Sequence, residues 1–173
     1  SSLGAPEIWP TSLRTTVRLM LGSRFPMFLA WGPELGFLYN DAYAPILGNR
    51  HPNALGQRFA DVWNDIWPDI LPFIDRAMSG EAVWFENLPL TMQRNGYSEE
   101  TYFTFSYSPA FDDEGEVVGV FCACTETTDK VLADRRLAAE RKRQHRQFEQ
   151  APGFITILSG PEHRFEFVNQ AYR

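Results

Sequence analysis

Near residue 80 the spacing of apolar residues changes from about 3.6 to about 2, which marks a helix giving way to strands and excludes an all-α or all-β chain. Over 61–79 one helical stripe carries Trp63, Ile66, Trp67, Ile70, Ile74, Ala77 and Met78, and Gly80 is a stop signal. Pro68 and Pro72 lie within that stripe. Each lacks a backbone donor and is tolerated best in a first turn, so the helix should begin near Pro68 or bend at Pro72. Beyond Gly80 the pattern is that of strands. Segment 82–92 reads as one strand, ended by Arg94-Asn95-Gly96. Segment 101–109 puts Phe103, Phe105 and Tyr107 on one face and Tyr102, Thr104, Ser106 and Ser108 on the other. After the turn signal Asp112-Asp113-Glu114-Gly115, segment 116–125 alternates Val118, Val120, Cys122 and Cys124 against Val117, Phe121 and Ala123. Short connections make these three strands antiparallel neighbours.

Upstream, Leu13, Val17, Met20 and Leu21 recur at helical spacing between the start signals Pro10, Thr11 and Ser12 and the stop Gly22. A helix over 11–21 is too short to stand alone, so its apolar face must dock. Two apolar runs, 26–31 and 36–39, flank Gly32-Pro33-Glu34 and read as a hairpin. Asn40 or Asp41 can cap a helix directly after the second run. Pro45, Gly48, Pro52 and Gly56 break 41–59 into short helical turns. The order defines an α+β domain, one five-stranded antiparallel sheet with helices on one face.

From Glu126 to Gln150 the chain is polar, free of Gly and Pro, and rich in Arg, Glu, Gln and Ala. Thr127 or Thr128 can cap a connector helix of about 20 residues there. Val131, Leu132, Leu137 and Ala138 form a thin apolar line, either a dimer seam or a solvated connector. Arg135, Arg136, Arg141, Lys142, Arg143 and Arg146 crowd the same stretch and read as a solvated face, with a contact for a polyanion or a membrane surface as the alternative. The tail then repeats an earlier pattern: 160–172 (Gly-Pro-Glu-His-Arg-Phe-Glu-Phe-Val-Asn-Gln-Ala-Tyr) aligns with 32–43 through one inserted residue. This is the mark of a second, truncated copy of the same module.

Composition excludes several functions. A net charge of −6 gives no overall basic field for nucleic acid. No run of about 18 apolar residues can span a membrane, and Ser1–Ile8 is not a signal peptide. Both ends read as cut points. Two cysteines on one strand make no secreted disulfide framework, and a reducing, cytoplasmic setting fits them. With His51, His145 and His163 scattered, no metal set is visible. No paired carboxylates, nucleophile–base set or phosphate loop points to an enzyme.

The apolar strand, tight turn, strand ending in Tyr39-Asn40 and Ala42-Tyr43 opening a helix together resemble the PAS family. So does the closing stretch Tyr107–Phe121, and Glu126-Thr127-Thr128 stands where many PAS domains carry an acidic-x-Thr junction. Trp9-Pro10, Trp31-Gly32-Pro33-Glu34 and Gly48-Asn49-Arg50-His51-Pro52 look like PAS units near the front of bacterial sensor histidine kinases. The resemblance implies an N-terminal flanking helix (1–23), a PAS domain (24–126), a signalling helix (127–150) and the start of a second PAS domain (151–173).

It also implies a sensory or relay module in a cytoplasmic two-component sensor kinase, with the kinase outside this chain and dimerisation through the flanking and connector helices. The alternatives are a ligand-free dimerisation spacer and an input to another output, such as a cyclic-dinucleotide enzyme. Pocket candidates are Tyr39, Asn40, Tyr43, Trp63, Trp67, Phe103, Phe105 and Cys122, and junction candidates are Glu126, Thr127 and Thr128. The cofactor is open. A noncovalent flavin or other small molecule can stack on the aromatics, while thiol–flavin photochemistry lacks its Asn-Cys-Arg motif. Haem is disfavoured because His51 lies in the broken helical region.

Overall fold

The computed structural model describes residues 3–150, 152–153 and 156–168. The chain divides into two units, 1–128 and 129–173.

The first unit opens with helix α1 (Thr11–Gly22), then strands β1 (Met27–Trp31) and β2 (Gly36–Tyr39). Short helices α2 (Ala44–Leu47) and α3 (Phe59–Val62) come next, then α4 (Trp67–Met78). Three long strands close it: β3 (Val83–Met92), β4 (Glu99–Phe111) and β5 (Val117–Glu126). The five strands form one antiparallel sheet in the order β2-β1-β5-β4-β3. β5 is therefore central, and its end leads into α5 (Thr128–Glu149).

Alternation along β1 and β2 builds two cores. Phe28, Ala30, Phe37 and Tyr39 face the short helices and α4, while Leu29, Trp31 and Leu38 face α1 with Leu13 and Met20. The helices thus pack on one face as expected, and α1 docks on the other. No side chain within α1 caps its N-terminus. Asp113, from the β4–β5 turn, does so: the Thr11 and Ser12 amides donate to its carboxylate at 3.1 and 2.7 Å. Those hydrogen bonds hold its carboxyl below the ordinary carboxylate range.

The proline question over 61–79 resolves toward the helix start. α4 begins at Trp67 with Pro68 in its first turn, and Pro72 sits inside it. The bond Pro72 forfeits would have gone to Pro68, at the beginning of the helix. One expected alternation fails. Ala110 pairs with Gly119 and Phe111 with Val117, so Val118 is an extra residue on β5. The bulge turns Val118 away from the face of Val120, Cys122 and Cys124 and toward the α1 core.

In the second unit, β6 (Thr156–Ser159) and β7 (Arg164–Val168) form an antiparallel hairpin. Its turn copies that of β1–β2. Gly32 and Leu35 have φ of 80° and 49°, and Gly160 and His163 have 70° and 46°. In both, the fourth residue's amide donates to the glycine carbonyl, at 2.9 and 3.2 Å. Asn169, Gln170, Ala171 and Tyr172 of the sequence repeat lie outside the described residues. The basic residues of α5 are exposed; Val131 and Leu132 are half-buried, and Leu137 and Ala138 are exposed.

Candidate functional site

Between the sheet and α4 lies a cavity of about 30 Å³. Aromatic and branched side chains wall it because β4 and β5 alternate and α4 presents its stripe. Of the expected pocket residues, Tyr43, Trp63, Phe103, Phe105 and Cys122 line it. Tyr107, Met92 and Cys124 line it too, beyond the residues expected there. Periodicity places Tyr107 and Cys124 on that face, so their signal was present; Met92 belongs to a strand whose faces the sequence left unassigned. Burial pushes the Tyr43 and Tyr107 phenols and the Cys122 thiol well above their ordinary pKa values.

Tyr39, Asn40 and Trp67 do not line the cavity. The Tyr39 hydroxyl lies 2.9 Å from His51 Nδ1, so His51 is engaged at the side of the domain. Trp67 meets Phe59 edge-on, with ring centroids 5.4 Å apart. Asn40, 1% exposed, is a junction of backbones. Its Nδ2 donates to the carbonyls of Met20, Ser23 and Phe25 at 3.0, 3.2 and 2.7 Å. Its Oδ1 accepts from the Met27 and Tyr43 amides, each at 3.1 Å.

A volume of about 30 Å³ is on the scale of ordered water, whereas pockets for organic ligands run to about 300–1,000 Å³. A flavin ring does not fit this arrangement of the walls.

The second part of the site is the exit from β5. The Glu126 carboxylate accepts two hydrogen bonds from Arg94, from Nη1 at 2.8 Å and Nη2 at 2.7 Å. Arg94 also donates to the Ile46 carbonyl at the end of α2, at 3.1 Å, and pairs with Glu99 at 3.3 Å. The hydrogen bonds to Glu126 raise its pKa further. Thr128 Oγ1 donates to Glu126 at 3.1 Å and accepts from the Tyr102 amide at 3.0 Å. The Thr127 amide donates to the Tyr102 carbonyl at 2.7 Å, while its buried hydroxyl has no hydrogen-bond partner among the described residues. Neither threonine is a simple helix cap: Thr128 faces β4 and Thr127 Oγ1 is unpaired. The sequence showed Arg94 only as part of a turn, and nothing local to it marks a partner 32 residues away.

Among the described residues no three of His, Cys, Asp or Glu converge as a metal-holding group, and no helix is long and apolar enough to cross a membrane. Sheet order, buried cavity and strand-to-helix junction define a sensory α+β module. The PAS fold family model matches residues 27–132, and the chain belongs to that family.

No curated protein sequence matches the chain. Among solved structures it is similar to an RNA-binding light-oxygen-voltage receptor, with TM-score 0.51 and 16% identity, over 83% of this chain and 41% of that one. It is similar to a phage VqmA–DPO complex, with TM-score 0.51 and 16% identity, over 74% of this chain and 58% of that one. A PAS domain from Colwellia psychrerythraea matches with TM-score 0.50 and 11% identity, over 68% of this chain and 98% of that one. The chain spans less than two thirds of the first two proteins. At these identities the likeness shows the fold alone.

Proposed function

We propose that this chain is the input and relay module of a bacterial cytoplasmic signalling protein, foremost a two-component sensor histidine kinase with its catalytic domains further along the same protein. The observation that carries the reading is the hydrogen-bonded set Arg94–Glu126–Thr128–Tyr102. It ties the first residue of α5 to β4 and to the end of α2, which packs against the cavity walls. A rearrangement of the core would therefore change the balance of these bonds and bias α5 between two arrangements. The hairpin 156–168, built on the same turn as β1–β2, supports a second PAS unit opening at 151–173. Exposed Leu19, Leu21 and Phe25 at the end of α1 support dimerisation through the flanking helix.

A second reading, a ligand-free spacer that holds two chains together, is favoured by the small cavity. An input to another output, such as a cyclic-dinucleotide enzyme, would use the same junction. The test fuses residues 1–150 in register to a histidine-kinase core and follows basal autophosphorylation. Glu126→Gln and Arg94→Met should each change the output severalfold. Output equal to wild type, with the fold retained, would sink the relay reading and leave the spacer.

A further inference from the structure

A recess of about 400 Å³ lies between the segment that precedes α1, the start of α1 and the β1–β2 turn. It shares no lining residue with the core cavity, and its volume falls in the range of small-molecule sites, about 300–1,000 Å³. Its walls are tied down. The Trp9 indole N–H donates to the Leu3 carbonyl at 2.9 Å, and Leu3 sits against Gly36, where an added Cβ would come within 2.8 Å of it. The Gly32 amide donates to the Val118 carbonyl at 2.9 Å and the Leu35 amide to the Gly32 carbonyl at 2.9 Å, which fixes the turn that carries Glu34.

The chemistry of the lining is one-sided. Trp9 and Trp31 bring indole rings, and Glu34 brings a carboxylate with no hydrogen bond or ion pair among the described residues. Donors are scarce: Pro10 and Pro33 have no amide N–H, and the Trp9 indole and the Gly32 amide are already committed. No described Lys, Arg or His lines the recess. An anion meets repulsion there, and a neutral polar molecule finds few donors. Mg and Ca ions need several oxygen ligands, and one carboxylate is too few. An organic cation is met twice, by the charge of Glu34 and by the negative faces of the indoles. A quaternary ammonium group needs no hydrogen-bond acceptor, so it suits these walls better than a strongly hydrated primary ammonium does.

We infer that Trp9, Trp31 and Glu34 form a binding site for a quaternary ammonium group of the choline class, with its methyl groups against the indoles and its charge balanced by Glu34. The site lies outside the core and stands whether or not the relay reading does.

The test is isothermal calorimetry of the whole chain with choline, with tetramethylammonium and with 3,3-dimethyl-1-butanol, the uncharged isostere of choline. One site per chain is expected, with the isostere about tenfold weaker. Glu34→Gln, a change at an exposed position, should weaken choline severalfold and leave the isostere unchanged. Equal binding of choline and its isostere overturns the site, as does an unchanged choline affinity in Glu34→Gln. NMR of the wild type reports position without any variant. The Trp9 indole N–H signal should shift on titration, and shifts confined to the core cavity overturn the site. Phosphatidylcholine vesicles are run beside free choline. Binding of free choline assigns a soluble ligand, vesicle binding alone assigns a lipid headgroup, and binding of neither overturns the inference.

Discussion

Glu126 and Arg94 share two parallel hydrogen bonds, at 2.8 and 2.7 Å, where the central strand gives way to the long helix. The guanidinium is buried and the carboxylate mostly so, so the pair is shielded better than a surface ion pair. Arg94→Met or Glu126→Gln should each cost about 1.5–3 kcal/mol in urea unfolding, the range for hydrogen bonds to charged groups. The double variant should cost less than the sum. Full additivity would mean that the two residues do not act on one another.

Asn40 satisfies three carbonyls and two amides from two stretches of backbone, Met20 to Met27 and the turn at Tyr43. Removing it leaves several buried polar groups unpaired, each costly. Asn40→Ala should destabilise the domain by about 3–5 kcal/mol, among the largest effects expected of a single change. Thermal denaturation checks this, and a loss comparable to a surface substitution would contradict it.

Acid should loosen two particular contacts. Burial works against the Asp65 carboxylate, but its hydrogen bonds with Arg50 and the Gln93 amide outweigh that, and its folded pKa falls below the ordinary 3.8. Asp113 is lowered likewise, by the Ser12 amide foremost. Because both folded values are depressed, their contribution is complete above the unfolded value and lost as pH falls through the folded one. Stability should therefore drop below about pH 4, less steeply in Asp65→Asn and Asp113→Asn, as followed by chemical denaturation across pH.

Leu19, Leu21 and Phe25 are exposed by 72%, 60% and 61%, a concentration of apolar surface at one end of α1. If the chain pairs through this end, Leu19→Glu with Leu21→Glu should raise the dimer dissociation constant by about tenfold or more. Sedimentation equilibrium reads it directly. An unchanged constant would place the interface elsewhere.

The helices and strands were legible because period alone sets them, and β4 lies close to where its Phe103–Phe105–Tyr107 face predicts. The cavity face came from the same alternation. What escaped depends on pairing between distant residues. Val118 changes sides because of a bulge that its own strand does not encode. The cap of α1 comes from Asp113, about 100 residues away in sequence, and a turn aspartate looks the same whether or not a helix waits above it. Tyr39 and Asn40 sit where the family pattern puts them, yet hydrogen-bonding capacity in a sequence does not reveal direction. Asn40 spends all of its capacity on backbone, and Tyr39 turns to His51.

The two ends of α1 are fastened to different parts of the sheet, the N-terminal amides to Asp113 beyond β4 and the Met20 carbonyl to Asn40 after β2. A helix is stiff along its axis, so α1 acts as a strut of fixed length across the sheet's outer surface. Any change in sheet twist that alters the span between those two anchors must break one fastening or pull the strut with it. Deformation of the domain is thereby either blocked or delivered to its N-terminal end, opposite in sequence to the exit through α5.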